Sequence, residues 1–84
     1  MTITVYTKPG CFGCGKTIGK FQEAGLTPQI VDLTTTPEAL EYVSEELGYA
    51  QAPVVVYDKD GSENHWSGLR PDKINELIEL EKAH

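Results

Sequence analysis

Cysteine is scarce in this 84-residue chain, which holds only Cys11 and Cys14. A disulfide scaffold would need more, because one bridge across two intervening residues closes too small a loop to remove much unfolded-chain entropy. Long hydrophobic runs are missing as well. The longest, Pro53-Val54-Val55-Val56-Tyr57, falls far short of the ~20 apolar residues that span a bilayer. Met1-Thr2-Ile3-Thr4-Val5 has neither the basic start nor the apolar stretch of a secretory signal, so a cytoplasmic setting without a membrane partner is expected. Basic residues are a minority: seven Lys and Arg stand against thirteen Asp and Glu, a net charge of −6. That balance argues against binding through a nucleic-acid backbone or an anionic membrane surface. No repeat, linker or low-complexity tract divides the chain, and its length fits one small domain over residues 1–84.

The charge is unevenly spread. Residues 1–22 hold Lys8, Lys16 and Lys20 and no acid, whereas the remainder carries four basic and thirteen acidic residues. Both cysteines lie in the basic stretch. Ile3 and Val5 alternate with threonines, which predicts a short β-branched strand ending at Lys8-Pro9-Gly10. Cys14, Ile18, Phe21 and Gly25 then recur at helical spacing, giving an amphipathic helix stopped by Gly25. Ile30, Val31 and Leu33 make a second strand, and strand-helix-strand over about thirty residues implies a parallel pair.

Thr36-Pro37-Glu38 supplies an N-cap, a proline at the first helical position and an acid near the positive dipole end. Leu40, Val43 and Leu47 form the expected apolar stripe of that helix, and Gly48 ends it. Val54-Val55-Val56-Tyr57 reads as a strand buried on both faces, followed by the turn Asp58-Lys59-Asp60-Gly61 and a return strand over Glu63–Ser67. In the last helix Pro71 takes the first position, Leu69 and Ile74 are placed as a hydrophobic staple, and Ile74, Leu77 and Ile78 face inward. The order is βαβαββα.

Cys11-Phe12-Gly13-Cys14 therefore follows a strand and opens a helix, the context in which a paired thiol motif does redox chemistry. Unpaired amides of the first helical turn and the nearby Lys8 favour a thiolate at Cys11, whose pKa is expected to be lowered. Cys14, one turn further in on the apolar face, suits the second step, in which it resolves a mixed disulfide. Half a zinc site is the competing reading, yet no second cysteine pair exists and His65 and His84 are not spaced as ligands. Ligands shared across a dimer stay open. Ala52-Pro53 begins the buried strand, as a strand-starting proline or a cis bond. Trp66 fits a surface contact or a packed core aromatic equally well, and Phe12 beside the nucleophile reads as a contact surface.

Together, the βαβαββα order, Cys11-Phe12-Gly13-Cys14 and Ala52-Pro53 resemble the thioredoxin fold, an α/β four-stranded mixed sheet flanked by three helices. Tyr6-Thr7-Lys8-Pro9-Gly10-Cys11 resembles a glutaredoxin opening. Trp66-Ser67-Gly68-Leu69-Arg70-Pro71-Asp72-Lys73-Ile74 is similar to the signature of the NrdH-redoxins, glutaredoxin-like electron donors of class Ib ribonucleotide reductase. The resemblance implies that Cys11 is the nucleophile and Cys14 the resolving thiol, cycling between dithiol and disulfide. It also implies that Ala52 and a cis Pro53 line the substrate groove, together with Lys8, Phe12 and Gly13. Trp66, Ser67, Gly68, Leu69 and Arg70 would form or brace its far side.

Such proteins act as monomeric carriers with no bound cofactor or metal, and draw electrons from NADPH through thioredoxin reductase. Use of glutathione is the alternative, and a metal- or cluster-carrying module a more distant one. Glutaredoxins present Gly-Gly and then acidic or polar residues to the glutathione amine, whereas Ser67-Gly68 is followed here by Leu69-Arg70-Pro71. Two departures stand out. Many NrdH-redoxins carry Val and Gln between the cysteines where this chain has Phe12 and Gly13, which predicts a looser first turn. Leu69 replaces the signature's aromatic residue.

Overall fold

Alternation of β-branched residues and well-placed glycines produces the expected order of elements. The computed structural model describes residues 2–59 and 61–82. Strand β1 (Ile3–Thr7) leads into helix α1 (Phe12–Glu23), then β2 (Gln29–Asp32), a short helix α2 (Pro37–Glu41) that widens into a π turn over Tyr42–Glu46, the hairpin β3 (Val54–Lys59) and β4 (Ser62–Ser67), and helix α3 (Pro71–Lys82). The sheet order is β2-β1-β3-β4, with β1 parallel to β2 and antiparallel to β3. This is the four-stranded mixed sheet with three helices expected from the sequence. Asp60 of the hairpin turn lies outside the described residues, as do Met1 and His84.

Register sorts the side chains. Val5 pairs with Val55, and Val55 with Trp66, so these three share one face of the sheet. They form a core with Ile3 of β1, Phe21 of α1, and Ile74 and Leu77 of α3. On the opposite face Val54 and Val56 pack with Leu33, Ala39 and Val43 beneath α2. Burial on both faces of β3 matches the uninterrupted valine run. Helix α1 ends in a Schellman motif: Gly25, at φ 83°, bonds Gln22 O at 2.9 Å, and Leu26 N–H bonds Phe21 O at 2.9 Å.

Four details differ from the sequence reading. Leu40 is not on the buried stripe: Ala39 and Val43, four apart, turn inward, and Leu40, about 100° around the helix from Ala39, is left 50% exposed. Thr36 occupies the N-cap position but makes no side-chain capping hydrogen bond. Ile30 belongs to an edge strand and is exposed, while Leu33 is buried one residue beyond that strand's end. Thr17, on the inward face of α1, is fully buried and lies between the apolar positions the helical spacing picked out.

Candidate functional site

The turn after β1 delivers Cys11 to the N-cap of α1, with φ −89° and ψ 106°. Cys11 Sγ accepts a hydrogen bond from Cys14 N–H at 3.1 Å, and the two cysteines are joined in a disulfide with Cα atoms 5.3 Å apart. Cys14 is buried at 3% exposure and Cys11 is half-buried. The two sulfurs therefore meet solvent unequally.

Gly13 packs between two neighbours. A Cβ placed on it would stand 3.2 Å from Pro53 Cδ and 3.4 Å from Leu69 Cβ. The missing side chain thus lets the first turn of α1 approach both the proline and the loop after β4. The glycine is a point of close approach, a use that its helix-propensity cost alone does not reveal. The Ala52-Pro53 bond is cis, and Pro53 is buried. Pro53 O accepts from Gly68 N–H at 2.8 Å, and Gln51 O accepts from the Ser67 hydroxyl at 3.0 Å. Residues 51–53 are tied on that side to the β4–α3 junction, while Ala52 makes no hydrogen bond to the other described residues.

Phe12, at 74% exposure, lies beside Cys11 with the Lys16 ammonium 5.4 Å from its ring centroid. Trp66 is not a surface contact. At 5% exposure it sits in the core, edge-on to Tyr57 at 5.9 Å. Arg70 turns to Asp72 through Nε and Nη2, at 3.3 and 3.1 Å, and this bond holds the Asp72 carboxyl below the usual carboxylate range. Lys8 and Ala52 line a cleft of about 430 Å³ together with Leu33, Leu40, Val43, Tyr49 and Gln51. Sequence reasoning missed this cleft, because Leu40 read as core. Among the described residues no group of three or more His, Cys, Asp or Glu is placed to hold a metal.

A disulfide at a helix start, beside a cis-proline in a β2-β1-β3-β4 sheet, is the geometry of a redoxin. The family model for glutaredoxin matches residues 3–61. The chain belongs to the glutaredoxin family. It is 39% identical over 81 residues to the Gene 56 protein of Mycobacterium phage L5, covering 96% of this chain and 76% of the phage protein. The glutaredoxin-like protein NrdH of Escherichia coli is 35% identical over 77 residues, covering 92% of this chain and 89% of that protein. The solved structure of Escherichia coli NrdH-redoxin superposes with a TM-score of 0.79 at 36% identity, covering 92% of this chain and 95% of that one. Glutaredoxin from Brucella melitensis, at 23% identity and a TM-score of 0.66 over 99% of this chain and 84% of that one, shares the fold. This glutaredoxin is therefore similar to the NrdH-redoxins over most of its length. No helix among its described residues is long and apolar enough to cross a membrane.

Proposed function

We propose that this glutaredoxin is a cytoplasmic dithiol carrier that reduces a disulfide on class Ib ribonucleotide reductase and is itself reduced by thioredoxin reductase at the expense of NADPH. The observation that carries this reading is the placement of Cys11 Sγ at the helix N-cap, within hydrogen-bond reach of Cys14 N–H. In the reduced protein that amide and the positive end of the α1 dipole stabilise a thiolate.

The exchange runs in two steps. The Cys11 thiolate attacks one acceptor sulfur, the acceptor S–S bond breaks, and the other acceptor sulfur leaves as a thiolate and takes up a proton. Cys14 then gives up its proton and attacks Cys11 Sγ, forming the Cys11–Cys14 disulfide and releasing the first acceptor sulfur as a thiol. Two electrons and two protons pass to the acceptor, and NADPH replaces them through the reductase. The half-burial of Cys11 and the burial of Cys14 suit these unequal roles. The unpaired backbone of Ala52 is available to an extended acceptor segment, and Phe12 and Leu69 offer apolar surface beside it.

Reduction by thioredoxin reductase, and not by glutathione, rests on Arg70. The first carboxylate after the Ser67-Gly68 turn is Asp72, and it is already paired with the Arg70 guanidinium. A glutathione amine finds that acid taken. The similar NrdH-redoxin of Escherichia coli is described as glutaredoxin-like with a thioredoxin-like activity profile, which agrees with this assignment. The test is turnover of a protein disulfide with NADPH and thioredoxin reductase, compared with glutathione, glutathione reductase and NADPH. Faster turnover with thioredoxin reductase supports the proposal. Equal or faster turnover with glutathione overturns it in favour of a glutathione-dependent glutaredoxin.

A further inference from the structure

We propose that the Thr17 hydroxyl is held in reserve for Cys14, as the hydrogen-bond donor that supports the Cys14 sulfur when it attacks the mixed disulfide. This rests on the reading of the protein as a disulfide reductant.

Thr17 is fully buried, and its Oγ1 has no hydrogen-bond partner among the described residues. A hydroxyl buried in that state opposes folding, so its presence calls for an explanation. The ordinary remedy inside a helix is a bond back to the carbonyl three or four residues earlier. Ser44 takes it, donating to Leu40 O at 2.7 Å, whereas Thr17 bonds to the carbonyl of neither Gly13 nor Cys14. Trp66 Nε1, buried in the same core as Phe21 of α1, is also unpaired, so these two groups do not satisfy each other.

Helix geometry identifies what the hydroxyl serves. Cys14, Thr17 and Phe21 are the buried residues of α1. Residues three or four apart are neighbours on one helix face, and side chains lean towards the helix N-terminus. Of the two such neighbours on that side of Thr17, Gly13 has no side chain and Cys14 carries a sulfur. In the disulfide that sulfur is bonded to Cys11 and makes no hydrogen bond to Thr17. Opening the bond frees it to turn about its Cα–Cβ bond, and Thr17 supplies the one hydroxyl on the buried face of α1.

The need arises in the second step of the exchange. Burial disfavours a thiolate, and Cys14 is only 3% exposed. The Cys14 thiol loses its proton to solvent, its sulfur attacks Cys11 Sγ, the bond from Cys11 to the acceptor breaks, and the acceptor sulfur departs and takes up a proton. Both cysteines are oxidised and the acceptor is reduced. Thr17 keeps its own proton throughout, and donates a hydrogen bond to Cys14 Sγ while that sulfur carries negative charge. It is a positioning residue for the resolving thiol, with no part in the first attack.

The experiment uses the full chain and a peptide whose single cysteine is joined to 2-nitro-5-thiobenzoate. Attack by the reduced protein releases the coloured nitrothiobenzoate and leaves the peptide on Cys11, so absorbance reads the first step. Acid quenching and mass spectrometry follow the decay of the protein–peptide disulfide and read the second. Thr17→Val, which keeps the branched shape and removes the hydroxyl, should leave the first step unchanged and slow the second about tenfold, the low end of what a hydrogen bond to a charged group contributes. Thr17→Ser should recover most of that rate. Oxidised Thr17→Val should unfold in urea at or above the wild-type midpoint, because it loses an unpaired buried hydroxyl. Four results overturn the proposal: a second step that Thr17→Val leaves unchanged, both steps slowed alike, Thr17→Ser as slow as Thr17→Val, or an oxidised Thr17→Val protein that fails to fold or unfolds at lower urea, which would make the hydroxyl structural. If the wild-type protein fails to release the peptide, the reductant reading falls, and this inference with it.

Discussion

Replacing Gly13 by alanine tests whether the first turn of α1 is held against Pro53 and Leu69. The added Cβ would lie 3.2 Å from Pro53 Cδ and 3.4 Å from Leu69 Cβ, both inside the ~3.5–4.0 Å of a comfortable carbon contact. The proline ring and Leu69 must each give by a few tenths of an ångström. Overpacking of this kind costs roughly 1–3 kcal/mol, while exchanging glycine for alanine in a helix gains roughly 1 kcal/mol. The net expectation is a loss between zero and about 2 kcal/mol, the difference of those two figures. Gly15 is the internal control. It lies in the same helix with nothing within 4 Å of its would-be Cβ, so Gly15→Ala should show the full gain of about 1 kcal/mol. Urea unfolding of both variants in the oxidised state measures the difference. Turnover of a protein disulfide should also fall in Gly13→Ala, because the displaced residues border Cys11. Equal stabilisation of both variants, with turnover unchanged, would refute the packing argument.

Cys14→Ser should accumulate a mixed disulfide between Cys11 and the acceptor, seen by non-reducing mass spectrometry, and Cys11→Ser should not; trapping by the second variant would reverse the roles. Leu77→Ala, at a core position with 1% exposure, should cost roughly 2–5 kcal/mol in urea unfolding, and a loss below about 1 kcal/mol would contradict the packing of α3 on the sheet. Asp32, Asp58 and Asp72 are each held below their ordinary value of 3.8, chiefly by the Thr34 hydroxyl, the Thr2 N–H and the Arg70 guanidinium respectively. A folded pKa below the unfolded one stabilises the fold fully above the unfolded value and loses that contribution as pH falls through the folded value. The urea midpoint should therefore hold down to about pH 5 and drop below about pH 4. Asp72→Asn should reduce the drop, and an unchanged acid profile in that variant would remove Asp72 from the account.

The fold was legible where local chemistry and tertiary packing ask for the same residue. Gly25 is needed at a left-handed helix stop, Val54 to Val56 at a strand covered on both faces, and Pro71 at a first helical position. The cysteines were legible because a strand, a turn and a helix start are all local features. Leu40 was misread because a 3.6-residue period was continued through Leu47, whereas the α-helix ends at Glu41 and the π turn over Tyr42–Glu46 changes the phase. Trp66 was ambiguous for a different reason: Ser62–Ser67 has poor alternation, and only pairing with Val55 fixes which face the indole takes. Gly13 carried a local cost in the sequence, and its use appears only with Pro53 and Leu69, about forty and fifty-six positions away, brought beside it.

The short segment Gln51-Ala52-Pro53 links these observations, since its two ends and its middle have opposite requirements. Its carbonyls at Gln51 and Pro53 are held by the Ser67 hydroxyl and the Gly68 amide, and the Pro53 ring is pressed against Gly13. Ala52 between them is left without a hydrogen bond to the other described residues. An unpaired backbone on a free loop would move with the loop and lose most of its value as a template, because ordering it on contact costs conformational entropy. Anchoring the flanking residues removes that cost in advance. On this argument Ser67→Ala, which touches neither cysteine, should raise KM for a peptide disulfide while leaving kcat nearly unchanged. An equal fall in kcat and kcat/KM would show instead that the Ser67 bond acts on the reacting sulfurs.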